Sequence, residues 1–266
     1  MEKMVSKVIL FPEIQHLKKY EFKPLDKNYK IFTERNFEEY LIKWNMDKNF
    51  KIFSYSFQGN YKEENCDQLF MDLFRSEEVL QDLGCTSLIN SKAKTEKQIS
   101  IEIETVPCSL LSTDIFDRIY DRGIVLQDGT IRKCFEEYIN DIVVADELRN
   151  MLLIEESDNY SLFKEEERAE FLFRIFQYFC LGGSLNQYED NIEPYFLTAK
   201  TLYKDLVCVR KAGIQKKITI MSKVYKITVF DDAVPIYPSK KSHQQDFAFV
   251  ILNSMLNEVI IMHHIW

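Results

Sequence analysis

The sequence predicts an α+β fold, a central helical pair (about 164–181 and 194–211) packed with a mainly antiparallel sheet formed largely by the C-terminal strands. Three observations predict it. Residues 164–181 and 194–211 carry helix-spaced apolar stripes on either side of a Gly-Gly turn. Beyond residue 213, KITIMS, KVYKITVF, FAFVIL and EVIIMHHIW are four runs rich in Ile, Val, Phe and Tyr, the pattern of an antiparallel meander, with PIYPSKKSHQQD as the long loop in their midst. No internal repeat or low-complexity tract breaks this order.

The elements follow in chain order. Residues 1–19 show no clear pattern and read as an N-terminal extension, a candidate flexible segment; 20–266 reads as a single α+β domain. Tyr20 and Phe22 alternate with Glu21 and Lys23 ahead of Pro24, which predicts a short strand. Phe37, Tyr40, Leu41 and Trp44 have helical spacing and predict a helix over about 34–46. KIFSYSFQG predicts a strand, with Phe53, Tyr55 and Phe57 on one face and Ser54 and Ser56 on the other. Asn65 is placed to cap a helix carrying Leu69, Phe70, Leu73 and Phe74, and Ser76 a second one ending at Gly84. The polar stretch 90–98 is the one candidate boundary between lobes. Ile99, Ile101 and Ile103 alternate with Ser100, Glu102 and Glu104, a half-buried strand that can join the sheet. Ser112 is a suitable N-cap for a helix with Ile115, Phe116, Ile119 and Tyr120, and Gly123 lies past its end. Asp128-Gly129 is a turn signal between short strands at 124–127 and 130–134, and a helix over about 145–154 carries Leu148, Met151 and Leu152.

The central pair is the most strongly patterned part. Glu165, Glu166 and Glu167 face the positive end of the first helix dipole. Leu172, Ile175, Phe176 and Phe179 form its stripe, and Phe171, Phe173, Tyr178 and Leu181 carry apolar surface almost round it, so it is expected to be buried on more than one side. Gly182 and Gly183 end it, because glycine takes the left-handed conformation past a helix without steric cost. Ser184 and Gln187 have capping-box spacing, and Pro194 suits the first turn of the second helix. That helix shows an apolar face through Phe196, Leu197, Leu202, Tyr203, Leu206 and Val207, with Lys204, Arg210 and Lys211 late in it. Between the helices, Tyr188, Glu189, Asp190 and Glu193 place three carboxylates and a phenol in six residues. Two readings fit: a polar site for a partner or for acid–base work, and a solvated turn whose carboxylates cap the next helix.

Composition narrows the function. The chain has 266 residues, is 46% hydrophobic and holds 20 Phe and 14 Tyr against 7 Gly and 6 Pro, so a large core is available and disorder is disfavoured. A net charge of −8 disfavours a nucleic-acid binder and a constitutive binder of anionic membranes. Six scattered cysteines without a C-x-x-C pair suggest reduced thiols in a cytosolic protein rather than zinc ligands or a disulfide framework. No apolar run reaches membrane-span length, and the N-terminal apolar segment, broken by Pro12 and Glu13, makes a poor signal peptide. His263 and His264 are adjacent on a strand, so they point to opposite faces and are poorly placed to share a metal. Phosphate-loop, dinucleotide, nucleophile-elbow and zincin motifs are absent from the sequence. Cys108 reads as a buried thiol rather than a nucleophile. An interaction protein without cofactor is therefore favoured over an enzyme.

Several segments resemble the cilia- and flagella-associated protein 300 family: VPCSLLSTDIFDRIYD (106–121), DELR (146–149), AEFLFRIF (169–176), CLGGSLNQYED (180–190), YKDLVCVRK (203–211) and YPSKKSHQQDFAF (237–249). The resemblance covers roughly residues 20–266, in the same order. It implies a protein of the cytoplasm and the ciliary or flagellar axoneme, needed for assembly or delivery of outer and inner dynein arms. Implied partners are dynein arm assembly factors of the kintoun type, axonemal dynein subunits or the intraflagellar transport machinery. It implies no enzyme activity, cofactor or catalytic residue. The candidate partner surface is the turn with Gly182, Gly183, Tyr188, Glu189 and Asp190; the rival reading is that this block sets helix–helix geometry. A permanent axonemal component that docks dynein arms, and an enzyme using Tyr188, Glu189 and Asp190, are the other expectations to be tested.

Overall fold

The computed structural model describes residues 6–11, 18–85, 99–212 and 217–266. The stretch 90–98 and most of the N-terminal extension therefore lie outside the described residues. The α+β expectation holds, with eight helices among the described residues: α1 (Arg35–Lys43), α2 (Cys66–Leu73), α3 (Glu77–Asp82), α4 (Asp117–Asp121), α5 (Glu147–Leu153), α6 (Glu165–Ala169), α7 (Phe171–Leu181) and α8 (Glu193–Leu206).

The main sheet has eight strands, all paired antiparallel, in the order β1 (Ser6–Leu10), β4 (Ile99–Val106), β9 (Lys223–Asp231), β11 (Phe247–Asn253), β12 (Glu258–His264), β3 (Phe50–Gln58) and β2 (Glu21–Pro24), with β10 (Val234–Tyr237) also on β9. The isoleucine strand joins the sheet, as its alternation suggests. Part of the N-terminal extension, Ser6–Leu10, supplies an edge strand. Two small hairpins stand apart from the main sheet: β5 (Lys133–Ile139) with β6 (Ile142–Asp146), and β7 (Val209–Ala212) with β8 (Lys217–Ile220).

Side-chain alternation divides the core into two. Phe247, Phe249 and Ile251 on β11, with Ile260 and Met262 on β12, pack into one cluster with α1, α5, α7 and α8. The intervening Ala248, Val250, Leu252, Val259 and Ile261 pack into another with α2 and α3. The central strands are thus buried on both faces, which is why FAFVIL reads as a continuous apolar run rather than an alternation. Helix α7 buries eight of its eleven residues, as a helix apolar nearly all round should.

The histidines behave as the two-residue period requires. His263 hydrogen-bonds Tyr237 in one cluster, while His264 stacks on Phe247 in the other and bonds the Gln245 carbonyl. Burial, then the nearby Lys51 and His264 charges, lowers the His263 pKa from 6.5 to about 4, and burial lowers that of His264 as well. Both are neutral in the folded chain at pH 7. The unfolded chain takes up protons below about 6.5 that the fold refuses, so stability is greatest above that pH and falls on acidification towards 4. For His263 each pH unit in this window is expected to cost about 1.4 kcal/mol at most. Urea titrations at pH 7 and 5 check this, and His263→Gln is expected to flatten the slope.

Two helix boundaries differ from the sequence expectation. The span 164–181 is not one helix: Glu170 leaves helical geometry (φ −58°, ψ 137°) and separates α6 from α7. Its carboxylate accepts from the Ser109 amide and hydroxyl, and the Phe171 amide donates to the Pro107 carbonyl. Contacts to the residues after β4 replace one step of the helix ladder. The second helix ends at Leu206 rather than 211, so Arg210 and Lys211 lie on β7. There the Cys208 amide donates to the Ser222 hydroxyl and the chain pairs with β8.

Candidate functional site

The turn between α7 and α8 is built from the end of α7 outwards. A helix leaves its last four carbonyls without intrahelical donors. Here side chains reach several of the carbonyls at this end. Gln245 Nε2 donates to the Tyr178 and Gly182 carbonyls (3.1 and 2.7 Å), Arg149 Nη2 to that of Cys180 (2.8 Å), and Asn186 to that of Leu181. A guanidinium at a helix C-terminus also complements the dipole.

Arg149 is fully buried. It stands in the first turn of helix α5, where Asp146 caps by accepting from the Arg149 amide (2.9 Å). The same Asp146 accepts from Arg149 Nη1, and both side chains are out of water. Arg149 Nη2 also donates to the Tyr195 hydroxyl (2.6 Å), and the guanidinium lies 3.5 Å over the Tyr188 ring. Nε has no partner among the described residues. One cation thereby joins α5, the end of α7, the turn and α8.

The five candidate residues divide between interior and surface. Gly182 has φ +63°, a left-handed conformation suited to glycine, as the sequence predicts. The Gly183 amide donates to the Trp44 carbonyl (2.8 Å), and a Cβ on Gly183 would lie 2.2 Å from the Asn45 carbonyl oxygen. Tyr188 donates its hydroxyl to the Val143 carbonyl (2.8 Å), fixing the β5–β6 hairpin to the turn. Glu189 points inwards: it accepts from Lys43 Nζ (2.6 Å) and Trp44 Nε1 (3.1 Å), while its own amide donates to the Tyr195 hydroxyl. Asp190 points out, with its side chain 85% exposed and paired with Lys133 Nζ. Ser184 and Gln187 do not cap α8, because the Gln187 amide donates to the Lys43 carbonyl; the Asn191 side chain accepts from the Glu193 amide instead. Pro194 stands in the first turn as expected.

Most of the block therefore braces α1 against the α7–α8 pair, the rival reading considered above. An acid–base role called for a carboxylate of raised pKa. The Lys133 hydrogen bond instead lowers that of Asp190. Cys108 is half-buried, 3.3 Å from the Tyr203 hydroxyl, and burial pushes its thiol up to about 11, so little thiolate is present at pH 7. Among the described residues no group of three or more His, Cys, Asp or Glu is arranged to hold a metal. No helix among them is long and apolar enough to cross a membrane.

Glu189→Ala and Asp190→Ala separate the two sides of the turn. Glu189→Ala leaves Trp44 Nε1 without its acceptor and is expected to cost about 1–3 kcal/mol. Asp190→Ala breaks an exposed, screened pair and is expected to stay within about 0.5 kcal/mol. Urea midpoints of the two variants check the order, and Trp44 fluorescence should shift only in the first.

Sequence reasoning singled out the turn but not its partners Lys43, Arg149 and Gln245. The one local signal was Asp146 three residues before Arg149, a cap that places an arginine between Leu148 and Met151 on an apolar helix face. Such a cation is forced inwards and needs an anion beside it.

The structure defines an α+β domain whose most distinctive sequence block serves as an internal brace, without a metal cluster among its described residues. The chain belongs to the cilia- and flagella-associated protein 300 family, whose model matches residues 19–264. Cilia- and flagella-associated protein 300 of Paramecium tetraurelia is 34% identical over 236 residues, covering 89% of this chain and 90% of that protein. The protein of the same description from Chlamydomonas reinhardtii is 33% identical over 234 residues, covering 84% of this chain and 89% of that one. No solved structure matches the chain. The chain is thus a cilium- and flagellum-associated protein, of a family not named for an enzyme activity.

Proposed function

We propose that the chain is a non-enzymatic adaptor for the cytoplasmic assembly and ciliary delivery of outer and inner axonemal dynein arms. The observation that carries the reading is membership of a cilium- and flagellum-associated family across nearly the whole chain. Partners are assembly factors of the kintoun type, with dynein subunits or the intraflagellar transport machinery as cargo or carrier. The chemistry of the α7–α8 turn supports contact over catalysis. Its ionisable groups are held in ion pairs and hydrogen bonds, while Leu185 (81% exposed) and Asp190, five residues apart, face outwards. Contact at this turn therefore falls to Leu185 and Asp190, with Gly182, Gly183, Tyr188 and Glu189 holding them in place.

Affinity purification of the tagged full chain, from deciliated cytosol and separately from axonemes, tests the proposal. Dynein chains with assembly factors in the cytosolic fraction are the expected result. Stoichiometric, salt-resistant retention with doublet proteins in the axonemal fraction alone would replace it with a permanent docking component.

A further inference from the structure

A half-open groove lies between α4 and α8. One wall carries Thr113, Phe116, Asp117 and Tyr120; the other carries Glu193, Phe196, Leu197 and Lys200. The second wall has the spacing i, i+3, i+4, i+7 of one face of α8; the first runs from Thr113 through a 3-10 turn (Asp114–Phe116) into α4. Phe116 and Phe196 form the floor, with ring centroids 5.3 Å apart, and Phe196 is backed by the stacked Phe176 ring at 4.9 Å. Leu197 stands on the rim, 38% exposed.

The groove volume is about 210 Å³. That is below the roughly 300–1,000 Å³ of sites that engulf a small molecule, and suits inserted side chains. The charge along the groove is graded. Asp117 and Glu193 lie at one end, and both carboxylates are close enough to Tyr120 to raise its pKa after burial has done so. Lys200 lies seven residues along α8 from Glu193, about 10 Å away at the helical rise. None of these three charged side chains forms an ion pair among the described residues.

We infer that the α4–α8 groove docks one face of an amphipathic helix from a partner protein, with a large apolar side chain over Phe116 and Phe196 and a basic residue one turn away beside Asp117 and Glu193. Two helical walls leave room for a third helix to pack ridges into their groove. The uncompensated carboxylate pair selects the basic flank and disfavours an acidic one. The inference holds whichever cellular machinery supplies the helix, so it stands or falls apart from the dynein reading.

The test uses the full chain with labelled methyl groups and an alanine-based helical peptide of about 18 residues, long enough to hold a helix in water. The peptide carries Leu at i and i+4 with Arg one turn to either side; a control has Glu in place of both Arg. The Arg peptide is expected to shift the Leu197 methyl resonances and to bind at least about fivefold more tightly than the control, through rim charges of modest strength. Leu197→Glu is expected to weaken binding more than about tenfold, because a carboxylate then replaces the apolar rim contact beside the floor. Asp117→Asn with Glu193→Gln should erase the preference for Arg with only a small fall in melting temperature, since both acids stand in helix first turns. The inference is overturned if the Arg peptide at millimolar concentration leaves Leu197 unperturbed, if both peptides bind equally, or if Leu197→Glu binds as well as the parent. Leu197 shifts that grow with protein concentration alone would overturn it too, by assigning the groove to a second copy of this chain.

Discussion

Arg149→Ala is expected to lower the unfolding free energy by about 3–5 kcal/mol, the loss typical when one partner of a buried ion pair is removed. The substitution leaves the Asp146 carboxylate buried beside no cation, and it strips donors from the Cys180 carbonyl and the Tyr195 hydroxyl. A domain has about 5–15 kcal/mol in all, so this one change endangers the fold. Arg149→Lys is expected to rescue only part of the loss. A single ammonium cannot reproduce a planar fork that reaches Asp146, Cys180 and Tyr195 at once while stacking on Tyr188. The double variant Asp146→Asn with Arg149→Met should recover more than Arg149→Ala alone, because it removes the orphaned charge and keeps a cap for α5. Urea unfolding followed by circular dichroism measures all three. A loss below about 1 kcal/mol for Arg149→Ala would show that water or a shifted side chain replaces the guanidinium, and the brace would then not depend on it.

The reading of helices and strands from sequence succeeded where one period dominated. Ile99 to Glu104 and the helix at Phe37 to Trp44 each show one alternation or stripe, and each forms the expected element. It faltered where long-range contacts override local pattern. Nothing near Glu170 predicts a break, since its carboxylate is held by Ser109 and the next amide, Phe171, by the Pro107 carbonyl, both some sixty residues earlier. The β5–β6 hairpin was also missed. Its turn, Asn140-Asp141, has both residues at positive φ (46° and 67°), a signature that the pair of short polar residues does carry. Phe135, 99% exposed on that hairpin, weakened the alternation that would have exposed it.

The candidate site was half legible for the same reason. Gly182-Gly183 and the polar turn stand out locally, and their role as a helix end follows from glycine conformation alone. Which carboxylate faces inwards depends on Lys43 and Trp44, which lie 146 and 145 residues earlier than Glu189. Two neighbouring acids, alike in sequence, acquire opposite roles from a contact that no local pattern encodes. Glu189 holds α1 to the turn, and Asp190 faces solvent in an exposed pair with Lys133.

That contact makes Gly183→Ala the most informative small substitution in the chain. Its Cβ would fall 2.2 Å from the Asn45 carbonyl oxygen and 3.0 Å from the Asn45 carbonyl carbon, so the obstacle is backbone and no rotamer relieves it. Relief requires the end of α1 to move away from α7, which stretches the Gly183–Trp44 and Gln187–Lys43 backbone hydrogen bonds (both 2.8 Å). Overpacking of about 1–3 kcal/mol, with about 1 kcal/mol for a weakened hydrogen bond, gives an expected loss of about 2–4 kcal/mol. Two other glycines calibrate the effect. Gly84→Ala meets nothing within 4 Å, and its φ of +68° costs only the left-handed strain of about 1–2 kcal/mol. Gly182→Ala meets the Asn186 Cβ at 2.8 Å and the Trp44 carbonyl oxygen at 3.0 Å besides its left-handed strain, closer than at Gly84 and less close than at Gly183, and should fall between the two. The expected order of urea midpoints is Gly84→Ala highest, then Gly182→Ala, then Gly183→Ala, with a red shift of Trp44 emission in the last as α1 separates. Equal midpoints for Gly84→Ala and Gly183→Ala would mean that α1 yields at little cost. The turn would then be a loose surface element rather than the joint that holds α1 to the central pair.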